Sequence, residues 1–185
     1  NDLTPDGKYV VGNSASGAHI WSLDDGYTFI PRGSRVAISD DGTIIFGNVP
    51  DPDTSLGLAA IWTADTGWQT IGILDEDSGP GCGSNISAAY ELSADGGVAV
   101  GLGWINGCEA QGFRWTEETD TLGLEILANG GNRASVVSGD GMIAAGFAQG
   151  NFSRTPAMWF ADGTGMLIDP TADASGEVRG ISDDG

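Results

Sequence analysis

Lysine is almost missing from this chain of 185 residues. Lys8 is the only one, and the cationic total of 7 stands against 26 Asp and Glu, a formal net charge of −19. A surface so acidic repels nucleic-acid phosphates and anionic membranes, which leaves neutral or cationic partners as the expectation. Histidine is as scarce: His19 stands alone in "GAHIWS", just before a tryptophan, where packing or a rim position suits it better than a place beside a nucleophile. Long apolar runs are lacking too. No stretch of 18 apolar residues exists for a membrane helix, and residues 1–20 have neither the basic start nor the apolar core of a signal peptide, so an export signal is expected outside these residues. The two cysteines, Cys82 and Cys108, form no Cys-x-x-Cys motif, and the lone histidine is far from both in sequence. Redox and zinc chemistry are therefore poor fits.

Glycine is what the chain has instead, 31 residues of it, well above the usual ~7%. There is no Gly-X-Y period, and apolar residues make up 40%, which argues against collagen and disorder and for many tight turns. The glycines are organised. "LTPDGKYVVG" (3–12), "ISDDGTIIFG" (38–47), "LSADGGVAVG" (92–101) and "VSGDGMIAAG" (137–146) repeat one phrase, each with a second glycine five residues after the first, and a truncated "ISDDG" closes at Gly185. A tryptophan follows each complete copy inside a short apolar phrase, at Trp21, Trp62, Trp115 and Trp159.

Each period offers four short strand candidates separated by turn residues, with Asp-Gly as a hairpin signal because glycine takes positive φ without a Cβ clash. Helical windows free of glycine are few. The second strand of each copy is nearly all apolar, as a strand covered on both faces would be. Four-stranded sheets recurring every ~40–50 residues and stacked face to face predict an all-β, β-propeller-like fold of about four blades. The units run approximately over 1–34, 35–85, 86–130 and 131–176, with a partial one at 177–185. A closed four-blade ring and a fragment of a larger propeller both fit; the terminal "ISDDG", duplicating an anchor that leads into a strand elsewhere, favours the fragment.

The phrases "AISDDGTIIFG", the following "A..W" strand and "TADTGWQTIG" resemble the secreted bacterial HAF repeats. That resemblance covers nearly the whole chain and implies an extracellular, propeller-like protein without implying an activity. Pro5 in the first copy and "TEETDTLG", which lacks the turn glycine of its neighbours, depart from the pattern. The glycosylation patterns at Asn85 and Asn151 carry no weight in a bacterial chain.

With strands a to d in order, the d-to-a and b-to-c connections emerge together at one end of the ring. Cys82 precedes a strand a and Cys108 follows a strand b, so a disulfide between them is geometrically reasonable, contributes about 3 kcal/mol in the chain-entropy model and implies an oxidising compartment. The length variation also gathers at that end, which makes it the candidate binding face. Its candidates are Trp104, a ring able to stack on a sugar or anchor a partner, with Asn106, Glu109, Asp51, Asp53, Asp75 and Asp77. The pairs Asp51 and Asp53, Asp75 and Asp77, and Asp169 and Asp173 could offer oxygens to a structural Ca²⁺, but none continues into an EF-hand loop, so no cofactor or metal is expected. The four repeat-equivalent tryptophans read as packing between blades. The function expected is a secreted or cell-surface binding or scaffold module, periplasmic placement included, with a glycan, a protein or further blades of its own chain as partner. A glycan-processing enzyme using loop carboxylates is the alternative.

Overall fold

The computed structural model describes residues 2–74, 85–105, 109–150, 153–169 and 175–185. These form four antiparallel sheets of four strands, each in chain order from inside to outside. The first comprises β1 (Asp2–Leu3), β2 (Tyr9–Ser14), β3 (Gly17–Ser22) and β4 (Gly26–Pro31); the second β5 (Ser34–Ile38), β6 (Ile45–Pro50), β7 (Gly57–Thr63) and β8 (Gly67–Thr70). The third holds β9 (Ser87–Leu92), β10 (Ala99–Ile105), β11 (Glu109–Thr116) and β12 (Asp120–Gly123); the fourth β13 (Asn132–Val137), β14 (Ile143–Gln149), β15 (Arg154–Phe160) and β16 (Gly165–Leu167).

The recurring phrase is a turn locked by its own side chains. In the third sheet the Ser93 hydroxyl donates to Asp95 at 2.8 Å and accepts the Val98 N–H at 2.9 Å, while Asp95 accepts the Gly97 N–H at 2.8 Å. Thr4 with Asp6, Ser39 with Asp41 and Ser138 with Asp140 repeat the arrangement. Gly7, Gly42, Gly96 and Gly141 close these turns at φ of 72° to 76°, the left-handed conformation that glycine adopts at no steric cost. In "TEETDTLG", Asp120 takes the corresponding outer-turn conformation at φ 56°, which a short polar side chain tolerates.

The second glycine of the phrase has a different role. In sheets two to four the register slips where the inner strand meets β6, β10 or β14. A Cβ on Gly101 would strike the Ala88 carbonyl oxygen, and one on Gly146 the Arg133 carbonyl oxygen. Only a glycine lets the inner strand bulge this close to its neighbour.

Packing runs from each sheet to the next through three apolar clusters. Val11, Ala18 and Ile30 of sheet one meet Val36, Ile38 and Ile45 of sheet two; Ala37, Phe46 and Ala59 meet Ala89, Ala99 and Phe113; Val98, Val100 and Leu124 meet Ala134, Ala144 and Trp159. Trp62, Trp115 and Trp159 each turn toward the preceding sheet. Trp21, with no sheet packed on that face among the described residues, is 42% exposed in a row with Leu3, Val10 and Tyr27. Trp68, outside the repeat register, lies across from Trp62 and donates its indole N–H to the Pro31 carbonyl at 3.1 Å, so it too binds sheet two to sheet one.

The inner strands converge on an axial cavity of about 240 Å³, to which Leu3, Ile38, Leu92, Val137 and Ile181 contribute from equivalent positions. The turns beside it are tied in series: Asp40 N–H to Ala94 carbonyl, Ala94 N–H to Gly139 carbonyl, Asp140 N–H to Asp183 carbonyl, at 2.8, 3.0 and 2.9 Å. The terminal "ISDDG" is thus the fourth member of this ladder. Residues 175–185 follow the fourth sheet, joined to it through Gly176 N–H to Arg154 and Val178 N–H to Gly146.

Candidate binding face

The strand order gives the molecule two unlike ends. The locked Asp-Gly turns and the outer turns share one; the b-to-c and d-to-a connections share the other. At this second end two cavities open between sheets. One, of about 390 Å³ between sheets one and two, is lined by Ser14, Gly17, Arg32, Asn48, Ser55 and Asn85 among others. Arg32 caps it by donating to the Pro50 carbonyl, and His19 lies away from it on the open face of sheet one, its ring 5.3 Å from that of Tyr27.

The other cavity, about 320 Å³ between sheets three and four, is lined by Leu102, Trp104, Arg133, Phe147, Gln149 and Arg154, with Ala110, Gly131 and Asn132. Its arginines are held by a largely buried carboxylate. Glu177 receives Arg133 at 2.7 Å, Arg154 at 3.1 Å and Arg179 at 2.9 Å, and its side chain is 9% exposed. Arg133 also donates to Ser135 and to the Tyr90 hydroxyl. The Arg133 guanidinium lies 4.7 Å from the Tyr90 ring centre and 4.8 Å from that of Phe147, over which Arg154 also sits at 4.4 Å.

Of the residues expected from sequence, Trp104 lines this cavity near the end of β10, and Glu109 starts β11, exposed, at the same end of the sheet. Asp51 and Asp53 lie apart from them in the connection after β6. Asp51 is taken up by its own loop: its carboxylate accepts the Thr54 hydroxyl at 2.7 Å and the Thr54 N–H at 2.8 Å, which hold it below the usual carboxylate range. Asp53 is exposed, its N–H donating to Asp51. Asn106, Asp75, Asp77, Cys82, Cys108, Asn151 and Asp173 lie outside the described residues. Sequence reasoning missed Arg133, Arg154 and Glu177. The available signal was six arginines in a chain with one lysine, two of them within the first two residues of strands of the same sheet.

The axial cavity adds a second charged setting. Burial, reinforced by the nearby Asp2 carboxylate, pushes Glu91 up to about 7. Asp40 is raised by burial and by Asp183 and Asp2; all four residues line the cavity.

Four-stranded antiparallel sheets, packed in sequence with their first strands around an axis, define a four-blade β-propeller-like fold. Solved structures agree. The chain is similar to a TolB candidate from Agrobacterium tumefaciens (TM-score 0.66, 17% identity, 92% of this chain and 61% of that one). It is also similar to TolB from Acinetobacter baumannii (0.62, 16%, 94% and 44%) and to the β-propeller domain of the trilobed protease of Pyrococcus furiosus (0.53, 12%, 87% and 52%). The chain spans about half the length of these structures, and identity this low establishes the fold alone. No family model matches the sequence, and no curated protein does.

Proposed function

We propose that the chain is a propeller repeat module of a secreted or cell-surface protein, the periplasm included, that acts by binding or as a scaffold rather than by catalysis. The contrast between its two ends carries this reading. One end repeats a single locked turn; the other has connections of unequal length that enclose cavities between rigid sheets, the setting in which binding sites usually sit. The HAF-repeat resemblance supports the extracellular setting. So would a Cys82–Cys108 disulfide, which non-reducing peptide mapping checks. No cofactor is needed; a structural Ca²⁺ would register as a rise in Tm on calcium titration. A glycan, a protein or further blades of a longer parent chain are the partners in view.

A glycan array with polysaccharide pull-down, repeated with Trp104→Ala, tests the reading. Binding without turnover that falls more than about 30-fold in the variant supports a module anchored on that ring. The alternative, a glycan-processing enzyme, draws on Glu91: a carboxyl pushed to about 7 beside other carboxylates is the form a general acid takes. Released oligosaccharide, abolished by Glu91→Gln, would replace the module with that enzyme.

A further inference from the structure

We propose that the cavity between sheets three and four binds a carboxylated sugar, a uronate unit, with its carboxylate on Arg154 and a ring face against the Leu102 and Trp104 wall. The inference rests on the module reading above and names the ligand class of its loop end.

Charge is the first reason. Three guanidinium groups meet a single carboxylate at Glu177, leaving a local excess of positive charge in a chain of net charge −19. The locked Asp-Gly turns are at the far ends of strands seven residues long, roughly 20 Å away. The Debye length is about 8 Å at physiological salt, so the carboxylates of those turns are screened from a ligand in the cavity.

The division of labour between the arginines is the second. Arg133 spends Nε on Ser135, Nη1 on Tyr90 and Nη2 on Glu177, and its side chain is 17% exposed; it is a fixed charge. Arg154 gives only Nη1 to Glu177, its side chain is 47% exposed, and Nε and Nη2 have no partner among the described residues. That edge of a guanidinium is the one that takes a carboxylate through two parallel hydrogen bonds. Stacking on Phe147 at 4.4 Å holds it in place.

Shape is the third. The volume of about 320 Å³ falls at the small end of ligand sites. Phe147 is covered by the two guanidinium groups, so the wall open to a ligand combines Leu102 and Trp104 with the Gln149 amide. A pyranose offers the matching pair of surfaces, a C–H face for the indole and hydroxyls for the amide. Glu109, one residue before Ala110 on the cavity wall, opposes an anion.

The test is calorimetric titration at 0.15 M salt with a galacturonate trisaccharide and with the neutral galactose trisaccharide. Expected are binding of the acidic sugar only, at least tenfold weakening in Arg154→Ala and in Trp104→Ala, partial recovery in Arg154→Lys, and tighter binding in Glu109→Gln. Arg133 and Arg179 keep Glu177 paired in Arg154→Ala, so its Tm should match the parent within a few degrees. Equal binding of the two sugars, or acidic-sugar binding unchanged by Arg154→Ala, overturns the inference and leaves the module standing. No binding of the acidic sugar by a folded parent protein overturns it as well, whereas neutral glycans retained on the array keep the wider reading alive. Unchanged affinity together with a large fall in Tm would mark the cluster as a brace for residues 175–185 only, and would also overturn the proposal.

Discussion

The indole Nε1 of Trp159 donates to the Glu125 carbonyl at 2.9 Å, joining the third strand of sheet four to the segment that leaves sheet three. Trp159 is fully buried there, while its repeat equivalent Trp21 is 42% exposed. Trp159→Ala should destabilise by about 3–5 kcal/mol and Trp21→Ala by less than about half of that. Urea unfolding of both variants checks the pair; equal losses would mean that a further sheet covers Trp21 in solution.

Ser93 holds the third turn with one donated and one accepted hydrogen bond and is wholly buried. Ser93→Ala leaves the Val98 N–H without that partner and should cost about 1–3 kcal/mol, read from the urea midpoint. Exposed Ser16, which shares only a weak loop contact with Ser14, should tolerate the same change.

The turn aspartates give stability an acid limb. Backbone N–H groups hold Asp6, Asp41 and Asp95 below the usual range, with hydroxyl donors adding to this; for Asp140 the Ser138 hydroxyl is the larger cause. A carboxyl lowered on folding stabilises above its unfolded pKa of about 3.9, and that contribution is lost as pH falls through the folded value. Thermal melts should fall steeply below about pH 4, and Asp95→Asn should flatten the slope.

Glu91 acts with the opposite sign. Its carboxyl is raised to about 7 by burial, so its contribution is intact below about pH 4.3 and is lost as pH rises toward 7. Glu91→Gln should therefore be stabilising at pH 8, on the order of 3 kcal/mol, and nearly neutral at pH 4.5. A difference independent of pH would show that Glu91 titrates normally.

Much of this fold was legible because its signals are local. The phrase Ser-x-Asp-Gly specifies a turn through bonds spanning at most five residues, and the apolar run after it specifies a strand covered on both faces. β6 and β14 are buried almost end to end as expected, whereas β2 exposes Val10 because one face of sheet one has no neighbour among the described residues. The bulge opposite the second glycine was not legible, since it depends on how the inner strand approaches across the sheet. At the candidate face, Trp104 was found through its loop position, but the groups beside it were not.

The sequence by itself determined where the chain turns, how many sheets it builds and the order of their strands, because glycine's positive φ, hydroxyl-to-carboxylate bonds and β-pattern act within a few residues. Only the tertiary structure decided which equivalent tryptophan is buried, why Glu91 is reluctant to ionise, and that Arg133 meets Glu177 across 44 residues of chain. Burial, desolvation and charge pairing depend on what the neighbouring sheet brings to the same point in space, and a repeat that is regular in sequence has neighbours that differ at each position along the stack.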